Sequence, residues 1–139
     1  MKSAAGIYIV TLNNDAPISV NAHDPRVANR AIAVTRANCK FGKARNLAAR
    51  KANYERTFGV DNVNFFPIAE VEDISTVERR VLSRLRDFRV RGVTGRKNEW
   101  LIGITPAEIE QAVIAILDEG GFHYRRVGSV HTNAAKSLG

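Results

Sequence analysis

KFGKARNLAARKANYERTF, residues 40–58, joins the end of a predicted strand to a complete predicted helix. Asn46 is a residue type that caps helix N-termini, and Gly59 is the type that ends helices. Arg50 and Tyr54 lie between them, four residues apart, so they are neighbours on one face of the helix. The segment therefore predicts a strand-to-helix unit that presents a cation and a phenol side by side.

Upstream of this unit, the sequence predicts a strand, a long loop and a hairpin. Residues 6–12 are a β-branched and aromatic run that ends at the turn-forming residues 13–15. Residues 13–29 contain two prolines and no sustained period, which indicates an extended loop or an insertion. Strand character resumes over residues 30–35 and continues after a turn into residues 39–41, which predicts a hairpin.

Downstream of the helix, the sequence predicts strands and helices in alternation. Residues 63–71 form a strand in which Pro67 favours an edge position, because proline lacks a ladder N–H. A helix opens at STVE (residues 75–78), with apolar residues at helical spacing. Residues 99–104 form a short strand, and TPAE (residues 105–108) is a capping box with proline at the first helical position.

The order of these elements indicates an α/β fold, more narrowly an α+β fold. We expect a small, mainly antiparallel three-stranded sheet flanked by helices. One domain would cover residues 1–121, with residues 13–38 as an insertion between the first strands. Residues 122–139 would form a loosely held C-terminal tail.

Composition restricts the class of protein. With 139 residues, 45% of them hydrophobic and 25% charged, the chain has the profile of an ordinary globular protein. No apolar stretch approaches the ~20 residues that span a bilayer, and the N-terminus has no export-signal pattern. A single cysteine, Cys39, favours a reducing compartment and is best interpreted as a buried side chain. The histidines lack ligand spacing, so no zinc site is predicted. We expect a soluble cytoplasmic protein that does not enter membranes.

The net charge of +7 is concentrated in the middle of the chain. Residues 40–97 carry 14 of the 21 Lys and Arg residues but 7 of the 14 Asp and Glu residues, so they account for the whole excess. Solvated helix faces usually mix both signs, whereas a polyanion responds to a local excess of positive charge. This distribution favours a nucleic-acid partner over a set of solvated faces.

Several separated pieces of the sequence together resemble the GIY-YIG nuclease superfamily. They are Gly6-Ile7-Tyr8, KFG (residues 40–42), NLAAR (residues 46–50), Glu78 and Glu99-Trp100. In that pattern a GIY strand pairs with a YIG strand, and an N-L-x-x-R helix and a metal-binding glutamate follow. The likeness is to the branch whose second motif begins with lysine and whose later strand carries Glu-Trp. It covers about residues 6–104.

Two features distinguish this chain from the usual pattern. Tyr8 and Lys40 are separated by 31 residues, more than the short hairpin of the family, which implies the insertion at residues 13–38. Lys40 also stands at the position of the second-motif tyrosine. Which group acts as the base is therefore left open.

The resemblance implies a DNA endonuclease that uses Mg²⁺ or Mn²⁺. Phosphodiester hydrolysis needs an activated water, a cation for the phosphoryl oxygens and a metal at the leaving oxygen. By resemblance, Tyr8 would assist deprotonation of the water, and Lys40 would position or activate it. Arg50 would clamp the scissile phosphate, and Tyr54 would contact the phosphate or the nucleophile. Glu78 would hold one octahedral metal ion.

Each of these residues also has a structural interpretation. Glu78 follows Ser75 by three residues, which is the spacing of a capping box. Tyr8 on an apolar strand would ordinarily be a packed aromatic, and Trp100 would ordinarily anchor the core rather than stack on a base. The ordered set favours catalytic roles for Tyr8 and Arg50 and leaves the two roles of Glu78 evenly matched.

Further basic residues are candidates for phosphate contacts that position DNA without reading its sequence. They are Lys43, Arg45, Arg79, Arg80, Arg84, Arg96 and Lys97. Two rival functions are a catalytically inactive nucleic-acid-binding module with the same fold and, with less support, a scaffold protein that uses the last helix as an interface. We expect DNA rather than RNA as the partner. Cutting both strands would require a homodimer or repeated action, since one site cuts one strand.

Overall fold

The computed structural model describes residues 4–22, 24, 26, 32–92 and 97–131, without the side chains of Lys97 and Asn98. Its strands are β1 (Gly6–Leu12), β2 (Ile18–Ser19), β3 (Ala33–Val34), β4 (Asn38–Ala44), β5 (Val63–Val71), β6 (Arg89–Arg91), β7 (Lys97–Ile102) and β8 (Tyr124–Arg126). Its helices are α1 (Leu47–Phe58), α2 (Ile74–Arg84) and α3 (Pro106–Glu119). One turn of 3-10 helix (Arg86–Phe88) follows α2.

Six of these strands form one antiparallel sheet in the order β6-β7-β4-β1-β5-β8. This confirms the predicted α+β class of an antiparallel sheet flanked by helices. The predicted number of three strands is too small, because β7 and β6 extend one edge and β8 extends the other. β6 (RVR) and β8 (YRR) are three residues long and mostly arginine, so they carry almost no strand signal.

The sheet separates two hydrophobic cores. Along β1, Ile7 and Ile9 point to the side covered by α2 and α3, whereas Tyr8 and Val10 point to the side covered by α1. This alternation follows from the two-residue period of a strand. β1 lies inside the sheet, and all four side chains are fully buried. The predicted catalytic Tyr8 is therefore on the α1 face.

α1 and α3 begin where the sequence predicts. The Asn46 side chain accepts a hydrogen bond from the N–H of Ala49 at 3.0 Å, and Gly59, with a φ of 96°, follows the last residue of α1. Thr105 and Glu108 form the predicted capping box of α3. These helix boundaries are thus set by local residues.

The predicted start of α2 is wrong. Its N-cap is Asp73, whose carboxylate accepts a hydrogen bond from the N–H of Thr76 at 3.2 Å. Ser75 consequently lies inside the first turn, and Thr76 takes the position that a capping-box glutamate would occupy. Glu78 lies two residues further along, too deep in the helix to fold back onto the cap. The capping-box interpretation of Glu78 is therefore wrong as well.

The predicted hairpin over residues 30–35 and 39–41 is also wrong. In the described part of these segments, β3 pairs with β2, whereas β4 pairs with β1 and β7. We call β2 and β3 the ribbon. Val34 of the ribbon is fully buried in the α1-side core, so this ribbon is docked on the domain rather than continuous with the sheet. Residues 13–29, predicted as a loop or insertion, contribute its first strand.

The strand with Pro67 was predicted at an edge, but β5 lies between β1 and β8. β8 pairs only with Ala69–Val71, so Pro67 lies outside that ladder. The register with β1 also shifts beside it, between Ile7 and Tyr8. Pro67 therefore avoids the requirement for a ladder N–H without being on an edge strand.

The predicted C-terminal tail over residues 122–139 includes a strand of the sheet, because β8 pairs with β5. Glu110 of α3, 9% exposed, holds the segment that follows β8. Its carboxylate accepts from Arg126 at 2.7 Å, from the Ser129 hydroxyl at 2.9 Å and from the Val130 N–H at 2.8 Å. This part of the predicted tail is thus packed on α3. The remainder of the predicted tail lies outside the described residues.

In the part of the chain that the structure describes, no helix is long and apolar enough to cross a membrane. Cys39 is buried on β4, as predicted. Burial raises the pKa of its thiol to about 11, so the thiol stays protonated and unreactive at neutral pH.

Candidate active site

Two tyrosines and an arginine meet on the α1 face of the sheet. The hydroxyl oxygens of Tyr8 and Tyr54 are 2.8 Å apart, and the Arg50 guanidinium donates to the Tyr8 hydroxyl at 3.3 Å. Tyr8 belongs to β1, whereas Arg50 and Tyr54 belong to successive turns of α1. The Phe65 ring lies against both tyrosine rings and supports their positions. Three of the predicted residues thus form one hydrogen-bonded cluster.

Gly42 of the KFG motif makes room for this cluster. It is the partner of Tyr8 in the β1–β4 ladder, and a Cβ added to Gly42 would overlap the Tyr8 hydroxyl. A side chain here would therefore push that hydroxyl away from Tyr54 and Arg50. The close approach of the Tyr8 hydroxyl to Gly42 therefore explains why this position of the motif requires glycine.

Lys40 joins the cluster from β4. Its ammonium lies 5.2 Å from the centre of the Tyr54 ring and 3.1 Å from the carboxylate of Glu99 on β7. The Lys40 side chain is 13% exposed, so its charge is largely withdrawn from water and requires a counter-charge. The aromatic ring and the Glu99 carboxylate together hold the ammonium beside the tyrosines.

The β4–β7 ladder ends at Lys40. Its described pairs run from Asn38–Ile102 to Lys40–Trp100, and β4 continues beyond them through residues 41–44. The two strands therefore part at the cluster. Side chains from the two faces of the sheet can approach one another at this point.

Glu78 lies on α2, which covers the opposite face. Its carboxylate is 3.6 Å from the Lys43 ammonium, and Lys43 also donates to the Ser75 hydroxyl at 3.0 Å. Burial and then the negative charge of Glu99 raise the pKa of Glu78, whereas Lys43 and Lys40 oppose the shift.

The structure thus arranges the five predicted catalytic residues in two groups. Those that contact one another directly are Tyr8, Lys40, Arg50 and Tyr54. The described direct contact of Glu78 with a charged group is to Lys43. Of the other four residues, Lys40 also acts on the pKa of Glu78, which burial and then the Glu99 charge raise. The Glu99 charge also adds to the effect of burial in raising the pKa of Tyr54.

Both hydroxyls of the tyrosine pair are protonated at neutral pH. Burial is the main reason that the pKa of Tyr8 lies above its ordinary value, and Lys40 opposes it. Burial likewise raises the pKa of Tyr54, against the effect of Arg50. An additional positive charge at the site would be needed to make Tyr8 a proton acceptor.

Within the described part of the chain, two concavities border the cluster, and Arg50 and Asn53 line both of them. The α2-side concavity, of about 470 Å³, is further lined by Lys43, Ala44, Arg45, Asn46, Ala49, Ile74 and Ser75. The ribbon-side concavity, of about 330 Å³, is further lined by Val20, Asn21, Lys40, Tyr54, Thr57, Phe58 and Trp100. A bound chain that crosses Arg50 would therefore find a recess on either side.

Comparison with known protein families assigns the chain to a family. A family model described as the T5orf172 domain matches residues 7–117, which is more than half of the chain. The chain belongs to this family. The T5orf172 domain is GIY-YIG-like and nuclease-associated, which agrees with the predicted superfamily, while the predicted branch stays a prediction. No curated protein and no solved structure matches the chain significantly.

The matched region of this T5orf172 domain encloses the whole cluster. It begins within β1 and ends within α3, so the ribbon, both concavities and Glu78 lie inside it. β8 lies beyond it. The site described above is thus part of the family domain rather than of an appended segment.

The predicted phosphate-contacting residues of the T5orf172 domain occupy different places. Lys43 and Arg45 line the α2-side concavity. Arg79 is exposed on α2. Arg96 and the side chain of Lys97 lie outside the described residues. Their roles stay predictions.

Arg80 and Arg84 have partners within the fold. Arg80 lies over the Phe122 ring at 5.2 Å, and Arg84 pairs with Glu119 at 2.9 Å. Both therefore link α2 to the region at the end of α3. They line neither of the two concavities that border the cluster.

Glu99 is a site residue whose role sequence reasoning missed. It appeared in the sequence only as part of the Glu-Trp marker, with no role. Its contact with Lys40 depends on β7 lying beside β4, a pairing that no local pattern predicts. The available signal was its neighbour Trp100, which is 3% exposed and packs edge-on against Phe58, as the core-anchor interpretation predicted. Because Trp100 is fixed in the core, the backbone of the adjacent Glu99 has a defined position.

The donor set of this T5orf172 domain fits a hard divalent ion. Within the described ranges, no group of three or more His, Cys, Asp and Glu residues is placed to hold a metal. Mg²⁺ needs only one or two carboxylates, because water and phosphate oxygens complete its shell. Burial, and then the Glu99 charge, raises the pKa of the Glu78 carboxyl, and a bound cation would favour its ionised form. Zinc would require more nitrogen or sulfur ligands.

Proposed function

We propose that this T5orf172 domain is a divalent-metal-dependent endonuclease that hydrolyses DNA phosphodiester bonds. The observation that carries the proposal is the contact network of Tyr8, Tyr54, Arg50 and Lys40 between two recesses. It groups a guanidinium, an ammonium and two phenols beside recesses of about 470 and 330 Å³. The net charge of +7 supplies the long-range attraction to a polyanion.

Arg50 is the phosphate ligand in this proposal. Its guanidinium contacts the hydroxyls of Tyr8 and Tyr54, and a guanidinium has five N–H groups, so donors remain for a phosphate. Its planar fork can bind two phosphate oxygens at once. It would fix the scissile phosphate over the tyrosine pair and offset the charge that develops on the phosphoryl oxygens.

Tyr8 and Lys40 act on the attacking water. Tyr8 would orient the water through its hydroxyl. To accept the water's proton it must first release its own proton to solvent. Added positive charge at the site favours the resulting phenolate, as Lys40 already lowers a pKa that burial raises. Tyr54 holds the Tyr8 hydroxyl in place through the 2.8 Å contact. Lys40, fixed by Glu99, presents its ammonium to the same space.

Glu78 would hold the Mg²⁺ or Mn²⁺ ion, with Glu99 as the neighbouring carboxylate. The ion would supply Lewis-acid stabilisation of the phosphoryl and leaving oxygens. Lys43 keeps the Glu78 carboxylate within 3.6 Å of its ammonium and so restrains its direction.

A catalytically inactive DNA-binding module with the same fold is the second candidate. The charge balance of the site favours it, because Glu99 pairs with Lys40 and Glu78 pairs with Lys43 while both tyrosines stay protonated. Such a module would bind DNA in a strongly salt-dependent way and cleave it in no divalent metal.

Nicking of supercoiled plasmid distinguishes the two candidates. We expect the wild-type protein to nick in Mg²⁺ or Mn²⁺ and not in EDTA. Arg50→Ala and Glu78→Ala should each lower the rate by about 100-fold or more. Glu119→Ala, which removes an exposed carboxylate paired with Arg84, is the matched control and should nick normally. Equal nicking by wild type and both site variants, with thermal unfolding showing an intact fold, would contradict the proposed function.

A further inference from the structure

The ribbon-side concavity extends beyond the residues that take part in the chemistry proposed above. It is lined by Lys40, Arg50 and Tyr54 of the cluster and by Val20 and Asn21 of the insertion. The concavity is therefore shared by the residue proposed to hold the scissile phosphate and the predicted insertion.

The ribbon that carries this wall is firmly attached. β2 and β3 pair with each other, and the Val20 N–H extends the pairing to the Ile32 carbonyl at 3.0 Å. Val34 is fully buried, and its carbonyl accepts from the Asn14 side chain at 2.9 Å. Asn62 in turn donates to Asn14 at 2.9 Å, which connects the ribbon to the start of β5. The wall consequently has a defined position relative to the cluster.

The lining combines an apolar floor with amide groups. Phe58 and Trp100 pack against each other edge-on, with ring centres 5.7 Å apart. Asn21 and Asn53 also line the concavity, and the Asn21 carboxamide has no hydrogen-bond partner among the described residues. A carboxamide offers a donor and an acceptor side by side, which is the arrangement that pairs with the edge of a base. A volume of about 330 Å³ suits a small ligand such as one nucleoside.

A phosphate on Arg50 places its neighbouring nucleoside close to this recess. Lys40 and Arg50 line the recess together with Asn21 and Asn53. A backbone phosphate on Arg50 would leave the two amides for the base that the backbone carries. Contacts to phosphate are common to all sequences, whereas contacts to base edges differ among them.

We propose that the ribbon-side concavity receives the nucleoside next to the scissile phosphate and that Asn21 contacts its base. The inference rests on the proposed function and deepens it, because it makes the insertion at residues 13–38 the part of the domain that selects sequence. Arg50 provides the contact common to every substrate, and Asn21 provides the contact that distinguishes one substrate from another.

Equilibrium selection from random oligonucleotide pools, single- and double-stranded, tests this inference without cleavage. The bound fraction is recovered in the absence of divalent metal and sequenced. The wild-type protein should enrich particular bases at one or two adjacent positions. Asn21→Ala and Asn21→Asp should each weaken that enrichment by about tenfold, while affinity for the whole pool changes by less than about threefold. Asp15→Ala, an exposed residue of the same insertion that does not line the concavity, should leave the profile unchanged.

The outcomes separate the inference from the proposed function. Absence of binding, binding without enrichment, or equal enrichment by wild type and both Asn21 variants overturns the inference. The expected selection together with failure to nick plasmid contradicts the proposed cleavage and leaves the base contact standing. Thermal unfolding of each variant verifies that a changed profile does not reflect a changed fold.

Discussion

Replacing Glu99 by glutamine should destabilise the domain, because it leaves the Lys40 ammonium without its counter-charge. The Lys40 side chain is 13% exposed and that of Glu99 is 46% exposed, so the ion pair is half-buried. Removal of one partner costs about 3–5 kcal/mol in a buried pair and at most about 1 kcal/mol in an exposed pair. We expect Glu99→Gln to lower the free energy of unfolding by about 2 kcal/mol, between these limits.

A second substitution shows whether the loss comes from the unpaired charge. In Lys40→Met/Glu99→Gln, the buried ammonium is gone, so the double variant should be more stable than Glu99→Gln alone by about 1 kcal/mol. Glu119→Gln is the matched control. Its pair with Arg84 is exposed on both sides, and its loss should cost less than about 1 kcal/mol.

Urea denaturation of the wild type, Glu99→Gln, Lys40→Met and the double variant completes the thermodynamic cycle. A coupling energy of about 1 kcal/mol or more is expected between Lys40 and Glu99. Effects that add within about 0.5 kcal/mol would refute the conclusion that Glu99 positions Lys40. In parallel, Glu99→Gln should lower the maximal rate of nicking more than the apparent affinity for plasmid, and Glu99→Asp should restore part of it.

Gly42→Ala should lower the free energy of unfolding by about 1–3 kcal/mol and abolish nicking, because the new Cβ meets the Tyr8 hydroxyl; urea denaturation and the plasmid assay measure both effects. A variant with wild-type stability and activity would show that the close approach is unimportant. Glu110→Ala should cost about 2–3 kcal/mol and expose the segment from Arg126 to Val130 to protease, since three donors lose their acceptor. Digestion at the wild-type rate would contradict that role of Glu110.

Local residues determine the helices that frame the site. Asn46 and Gly59 delimit α1 as their chemistry predicts, and the spacing of Arg50 and Tyr54 alone places them on one face. Such features depend on neighbours within one turn, so the sequence is sufficient. α2 shows the limit of this reasoning, because Asp73 is also a good cap and competes with Ser75 two residues later. Which of the two residues caps α2 depends on where β5 ends.

Strand pairing is where local patterns fail. β3 resembles the first strand of a hairpin with β4, yet it pairs with β2, and its buried Val34 shows why: burial against the α1-side core outweighs the shorter connection. β8 lacks a strand pattern and is held by Glu110 and by the open edge of β5. Partners of this kind are distant in the chain and leave no periodic signal.

The sequence by itself determined which chemical groups this protein brings to its site: phenols, a guanidinium, an ammonium and a carboxylate, in an order that also identified the superfamily. Only the tertiary structure decided their state. Lys40 is paired with Glu99, Tyr8 is protonated by burial, and Glu78 is coupled to the cluster from the opposite face of the sheet. The physical reason is that charge and protonation depend on burial and on neighbours from other strands. These neighbours are set only when β4 pairs with β7.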